Sequence, residues 1–222
     1  WHAQPLTQGL QRVGVHRATP GANGRRPGHD RLAADIDMND YNYDWTPVPT
    51  FNGSFDGAHH AIVNLSIATN DAHAGLFGML GEDVEVKDLV FARPTIQVTD
   101  DNQFVGVLAG ESTQDNISNV HVFDGQITGE ADATIGGIVG GSFLYTNFND
   151  CSFQGNINTP EASPVGGIVG RTATSTKITA STTTLERLLF SPRTDSHSPL
   201  RFSRSFTFLM ARLLRSSLSL EM

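Results

Sequence analysis

Gly136-Gly137-Ile138-Val139-Gly140 and Gly166-Gly167-Ile168-Val169-Gly170 are the same five residues, thirty positions apart. Looser copies stand earlier, as Val105-Gly106-Val107-Leu108-Ala109-Gly110 and Gly75-Leu76-Phe77-Gly78. The closing glycines are 78, 110, 140 and 170, so the steps are 32, 30 and 30. A period of this length is the mark of a repeat architecture.

A second block recurs with Asn/Asp steps of 24, 31 and 31, close to the same period after its first copy. It reads apolar, any, Asn/Asp, apolar, any, apolar. The copies are Ile62-x-Asn64-Leu65-x-Ile67, Val86-x-Asp88-Leu89-x-Phe91, Ile117-x-Asn119-Val120-x-Val122 and Phe148-x-Asp150-Cys151-x-Phe153. A third, weaker block supplies Ile96, Ile127 and Ile157. Each block is short, alternates apolar with polar, and is bounded by turn residues. That pattern describes strand and turn, not helix.

Three short strands in about thirty residues fit one coil of a parallel β-helix. Stacked coils place equivalent residues about 4.8 Å apart. The spacing predicts inward columns of Leu65, Leu89, Val120 and Cys151, and of Ile67, Phe91, Val122 and Phe153. Asn64, Asp88, Asn119 and Asp150 would share a bend, where short polar side chains bond the turn backbone. An antiparallel sandwich also uses short strands and frequent turns. Its hairpins, however, need no thirty-residue register.

The glycine blocks resemble the GLUG motif, a repeat of bacterial secreted and cell-surface proteins. Leu32-Ala33-Ala34-Asp35-Ile36-Asp37-Met38 looks like the strand that leads into such repeats. Phe51-Asn52-Gly53-Ser54-Phe55-Asp56-Gly57, followed by His60, Ile62, Asn64 and Leu65, is similar to the family's leading pattern. Ala58 and His59 depart from its Asn-Gly pair. The resemblance spans about 32–178. It implies a right-handed β-helix in adhesin-like surface proteins, and in accessory repeats of IgA-cleaving metallopeptidases. No His-Glu-x-x-His motif is present.

Charge divides the chain at the same places. Residues 32–178 hold 19 acids and four bases (Lys87, Arg93, Arg171 and Lys177), a net of −15 within a chain of −8. Such a middle repels phosphate backbones and argues against nucleic-acid binding. Residues 1–31 and 179–222 are net basic and lack the repeat. They are expected to be irregular, as linkers or as residues outside the native reading frame. Ile178 stands where the next copy should begin, but Ala180, Ser181 and Thr183 break its pattern. The segment Phe206 to Leu218 has apolar residues at helical spacing, as an amphipathic helix or a non-native tail would. The first residue is Trp, which points to a fragment or a processed chain. One cysteine, Cys151, excludes an internal disulfide framework. No apolar run reaches the roughly 18 residues of a membrane span.

Candidate chemistry is sparse. Asp35-x-Asp37-x-Asn39 begins like an EF-hand loop, but Asp40 stands where the loop needs Gly and Thr46 where it needs Glu. A strand through Leu32, Ala34, Ile36 and Met38 with an acidic outer face is the alternative. Asp100-Asp101 and Glu82-Asp83 form acidic turns. His59-His60 is the only close histidine pair; neighbours on a strand face opposite ways and cannot share one ion. His121 should face solvent and Cys151 should be core. The sequons at Asn52, Asn64 and Asn116 arise easily in an Asn- and Ser-rich chain, and Asn64 in a bend would be a poor acceptor.

Two functional expectations follow. The first is a non-catalytic structural and adhesive repeat module, extracellular or at the cell surface. Its partners would be glycans, proteins or neighbouring repeats, with no cofactor and no catalytic, cofactor-binding or metal-ligating residue. The second is a carbohydrate-active β-helix enzyme. That needs several carboxylates and a base in one groove; Lys87 and Arg93 are expected to share a face, with no acidic cluster tied to them by spacing.

Overall fold

The computed structural model describes residues 15–17, 28–41, 44–100, 103–129, 132–160, 164–173 and 175–191. All of them belong to one compact unit running from Trp1 to Pro192. The expected helix at Phe206 to Leu218 lies outside the described residues.

The chain is a parallel β-solenoid of about five turns. The first turn holds β2 (Gly28–Leu32), β3 (Ile36–Asp37) and β4 (Val48–Phe51), after a short β1 (Val15–Arg17). The second holds β5 (Gly53–Asp56), β6 (Ala61–Val63), β7 (Ser66–Thr69), β8 (His73–Ala74) and β9 (Phe77–Leu80). The third holds β10 (Glu85–Ala92), β11 (Thr95–Val98), β12 (Phe104–Val105) and β13 (Ala109–Thr113). The fourth holds β14 (Asn116–Thr128), β15 (Thr134–Gly136) and β16 (Val139–Phe143). The fifth holds β17 (Asn147–Asn149), β18 (Ser152–Pro160), β19 (Val165–Gly166) and β20 (Val169–Thr172). A partial sixth holds β21 (Lys177–Thr179) and β22 (Thr182–Ser191).

Pairing between turns is parallel throughout. Leu89 is in register with Val120 and Phe91 with Val122. Val122 in turn meets Phe153, and Ile127 meets both Ile96 and Ile157. From the third turn onward the expected inward columns are therefore real, and Leu89, Val120 and Cys151 are essentially unexposed, whereas Leu65 and Ile67 of the second turn do not belong to them. Burying such side chains contributes roughly 1.5–3 kcal/mol each, and no turn could bury its face alone.

Three bends hold residues in the left-handed region. Asp88, Asn119 and Asp150 have φ of 54°, 53° and 52°, with Ala180 following at 50°. Asn and Asp tolerate this conformation best. Asn64, Arg93 and Asp124 make a second bend, and Asp83, Gln114, Leu144 and Ser175 a third.

The second turn corrects the expected register. Asn64 does not share a bend with Asp88. Ile62, not Ile67, pairs with Phe91, and Ile67 pairs with Ile96 in the third column. The first bend of this turn passes through His59 instead, whose N–H reaches Asp88 O at 2.9 Å. Two extra residues there make Asn64 look like a first-bend residue.

The glycine blocks make a tight corner. A Cβ on Gly110 would lie 2.7 Å from Phe104 O and 2.9 Å from Gly78 O. Only glycine lets backbones approach that closely.

Both margins of the repeat extend further than expected. β2 begins at Gly28 and pairs with β5, while β1 runs antiparallel beside it and covers its edge. At the other end β22 follows β18 from Ser152 to Pro160. Thr182, Thr183 and Thr184 keep the strand going without the apolar pattern, as β-branched residues can. The lead-in strand expected over 32–38 is broken. Ala34 is exposed in a bend, and Met38–Tyr41 forms a 3-10 turn.

Candidate functional surface

With the core filled by apolar columns, chemistry is left to the outward positions and the bends. The residues singled out by sequence are spent on joining coils. Asp35 accepts the Ala61 N–H at 2.9 Å and meets His60 Nδ1 at 3.0 Å; these bonds hold its carboxyl below the usual range. Asp37 accepts Asn64 Nδ2 at 2.8 Å and the Asn39 N–H at 3.0 Å, with the same result. Asn64 Oδ1 then accepts Arg93 Nε at 3.0 Å. Asp37, Asn64 and Arg93 thus form a chain across three turns, and the sequon asparagine is held inside it. Asp35 and Asp37 sit on different partners and do not converge as EF-hand ligands would. The two adjacent histidines also diverge. His60 faces Asp35, and His59 lies 3.8 Å from Asp88.

His121 points outward, as expected, but is tied down. Its Nδ1 lies 2.8 Å from Ser152 Oγ and its Nε2 2.7 Å from Asn119 Oδ1. Cys151 is core. Burial raises its thiol to about 11, so it is no nucleophile. Lys87 stands 4.0 Å from Glu85. Lys87 and Arg93 lie on separate faces, the first bend between them, and neither meets a group of acids. Among the described residues no three His, Cys, Asp or Glu side chains cluster as metal ligands.

Three features were not anticipated from sequence. His73 Nε2 lies 3.0 Å from Glu111 Oε2. The His73 ring stacks on Phe104 at 5.8 Å, and Phe104 meets Phe143 edge-on. His73 and Glu111 are 38 residues apart, so the thirty-residue period does not align them; the glycine corner does. Next, Asp115 occupies a buried position that Val84 and Thr146 hold in the neighbouring turns. Its carboxylate accepts the Val84 N–H at 3.0 Å and the Thr113 N–H at 2.8 Å. Burial nevertheless pushes its pKa up to about 7, with Asp83 nearby adding to the rise. An acid where its repeat mates are apolar or hydroxylic was the available signal. Finally, Phe123, Leu144 and Tyr145 are exposed, Tyr145 by 58%.

One outer face stands apart in composition. It follows the second bend, on β7, β11 and the far ends of β14 and β18. Its rungs are Ser66 with Ala68, Thr95 with Gln97, Gln126 with Thr128, and Asn156 with Asn158. None carries a charge. Asn156 Nδ2 donates to Gln126 Oε1 at 3.2 Å, and Asn156 Oδ1 has no partner.

Comparison with known proteins adds a partial match. A stretch of 128 residues is 37% identical to halomucin of Haloquadratum walsbyi. The match takes in 53% of this chain and 1% of the length of halomucin. No family model matches the chain, and no solved structure matches it. Among the described residues no helix is long and apolar enough to cross a membrane.

Proposed function

We propose that the chain is a non-catalytic structural and adhesive repeat module of a much longer secreted or surface-exposed protein. One observation carries the reading. The polar side chains at the bends are consumed in turn-to-turn bonding, as in the run from Asp37 through Asn64 to Arg93. Side chains so engaged build a stiff stalk with flat outer faces. The partial match to halomucin supports a piece of a very long protein, and the GLUG-like motifs support a place at the cell surface. Glycans, proteins or adjoining repeats are the partners such faces suit.

The carbohydrate-active alternative would have to use His73 and Glu111, a single pair capped by Phe104. The two readings separate in one assay. The full chain is incubated with neutral and anionic polysaccharides, and new reducing ends or unsaturated uronates are measured. The module reading expects none. Turnover that disappears in Glu111→Gln would overturn it.

A further inference from the structure

We propose that the uncharged face on β7, β11, β14 and β18 is a docking strip for a neutral polysaccharide lying along the solenoid axis. The inference rests on the adhesive reading above and names its partner class and its face.

The strip is distinct because it is free of charge within a region of net −15. Its four rungs span about 14 Å at the usual strand spacing. Charge marks its limits. Asp44 Oδ1 accepts the Ser66 hydroxyl at 2.6 Å at one end. At the other end the backbone of β22 runs in register beside β18. Arg93 and Asp124 stand at the bend before the strip, and Asp71 and Asp100 follow β7 and β11.

Apart from the Asn156–Gln126 and Ser66–Asp44 bonds, its hydrogen-bonding capacity is unspent. Among the described residues, the side chains of Thr95, Gln97, Thr128 and Asn158 take no protein partner. On the neighbouring outer positions His121 bonds both Asn119 and Ser152. Hydroxyls and primary amides both donate and accept. So do sugar hydroxyls, which carry no charge and lose little when brought near an acidic rim.

Other occupants fit less well. An anionic polymer meets the repulsion of the whole region. A second copy brings the same negative charge. An extended peptide needs a free sheet edge for its backbone, and a sheet face offers none. A folded protein partner anchors on buried aromatic or Arg contacts, which the strip lacks.

Affinity electrophoresis of the full chain tests this, with dextran or yeast mannan in the gel and polygalacturonate as the anionic comparison. The neutral polymers are expected to retard the protein and polygalacturonate to leave it unaffected. Gln97→Ala with Gln126→Ala should weaken binding about tenfold while the melting temperature holds. Phe123→Ser, on the adjoining face, should bind as the parent does. No retardation by either neutral polymer, or retardation that survives the double variant, overturns the strip. Retardation lost only in Phe123→Ser also overturns it, yet leaves the adhesive reading standing on a different face.

Discussion

Asp115 Oδ1 accepts the backbone N–H of Val84 at 3.0 Å, thirty-one residues back and one turn away. The same carboxylate accepts Thr113 N–H, so one buried acid closes the third bend and joins two turns. This is an unusual place for a charge. Ser112 Oγ lies 3.1 Å from Thr146 Oγ1 beside it, and Asp83 is the nearby acid.

The pH dependence follows from the raised pKa. Between about 4 and 7 the unfolded chain has released this proton while the folded chain retains it. Folding stability should therefore fall as pH rises across that window and level off above it. The total is at most about 4 kcal/mol at roughly 1.4 kcal/mol per pKa unit. Asp115→Asn should remove the slope. Melting curves from pH 4 to pH 8 on both proteins check it, and parallel curves would contradict the assignment.

The inward register gives a sharper test. Val120 lies unexposed between Leu89 and Cys151. Val120→Asp puts an unpaired carboxylate there, at a cost of several kcal/mol. His121→Ala, one residue on, loses two surface hydrogen bonds and should cost about 1 kcal/mol. Chemical denaturation of the two variants should separate them clearly.

The columns and the glycine corner were legible because their residues recur with one period. Leu89, Val120 and Cys151 differ in type yet share a register that spacing alone reveals. The second turn was misread because His59 holds a bend that Asp or Asn holds elsewhere. The next bend also passes through unlike residues, Asn64, Arg93 and Asp124, so no motif marks it. β22 was missed for a related reason. Ala180 takes the left-handed position of an Asx residue, and threonines replace the apolar alternation. On the surface, the uncharged strip was open to inspection once the register was known. The His73–Glu111 pair was not, since it depends on how the corner folds back.

The corner itself predicts an asymmetry between two glycines. Gly110→Ala drives its Cβ against backbone, 2.7 Å from Phe104 O. Gly141→Ala meets the Phe104 ring at 2.7 Å and the Phe143 ring at 2.9 Å instead. Rings on partly exposed side chains can swing away; a ladder carbonyl cannot. The first change should cost about 2–3 kcal/mol and the second less. Equal losses in thermal melts would show that the corner is not backbone-limited.

Net charge predicts a response to salt. No ladder among the described residues pairs one acid with another, so the repulsion is the longer-range field of a region with net −15. The screening length is roughly 10 Å at 0.1 M salt and 3 Å at 1 M. Repulsion along the solenoid should fall as salt is added, so the melting temperature should climb between 0.1 and 2 M NaCl. Among the described residues the ion pairs that salt weakens are few, such as the largely exposed Arg31 with Asp56 at 3.7 Å. A falling melting temperature would mean that these pairs outweigh the repulsion.

Cys151 reports on the last turn. Its N–H donates to Ser181 Oγ at 3.1 Å, and its carbonyl accepts the Thr182 N–H at 2.9 Å. The thiol is buried, and it is the chain's only cysteine. Protection of that thiol therefore depends on β22 covering β18. A chain ending at 191 keeps β22 and should label with a thiol reagent as slowly as the parent. A chain ending at 181 leaves β18 as an open edge, with Phe153 and Ile157 newly exposed beside Cys151. Labelling should then speed up by at least about tenfold, as local opening costs less at an edge. If both truncations label at the parent rate, the turn ending at β20 is self-sufficient and β22 adds nothing to it. If the chain ending at 191 already labels fast, the protection comes from beyond Ser191 and not from the strand ladder.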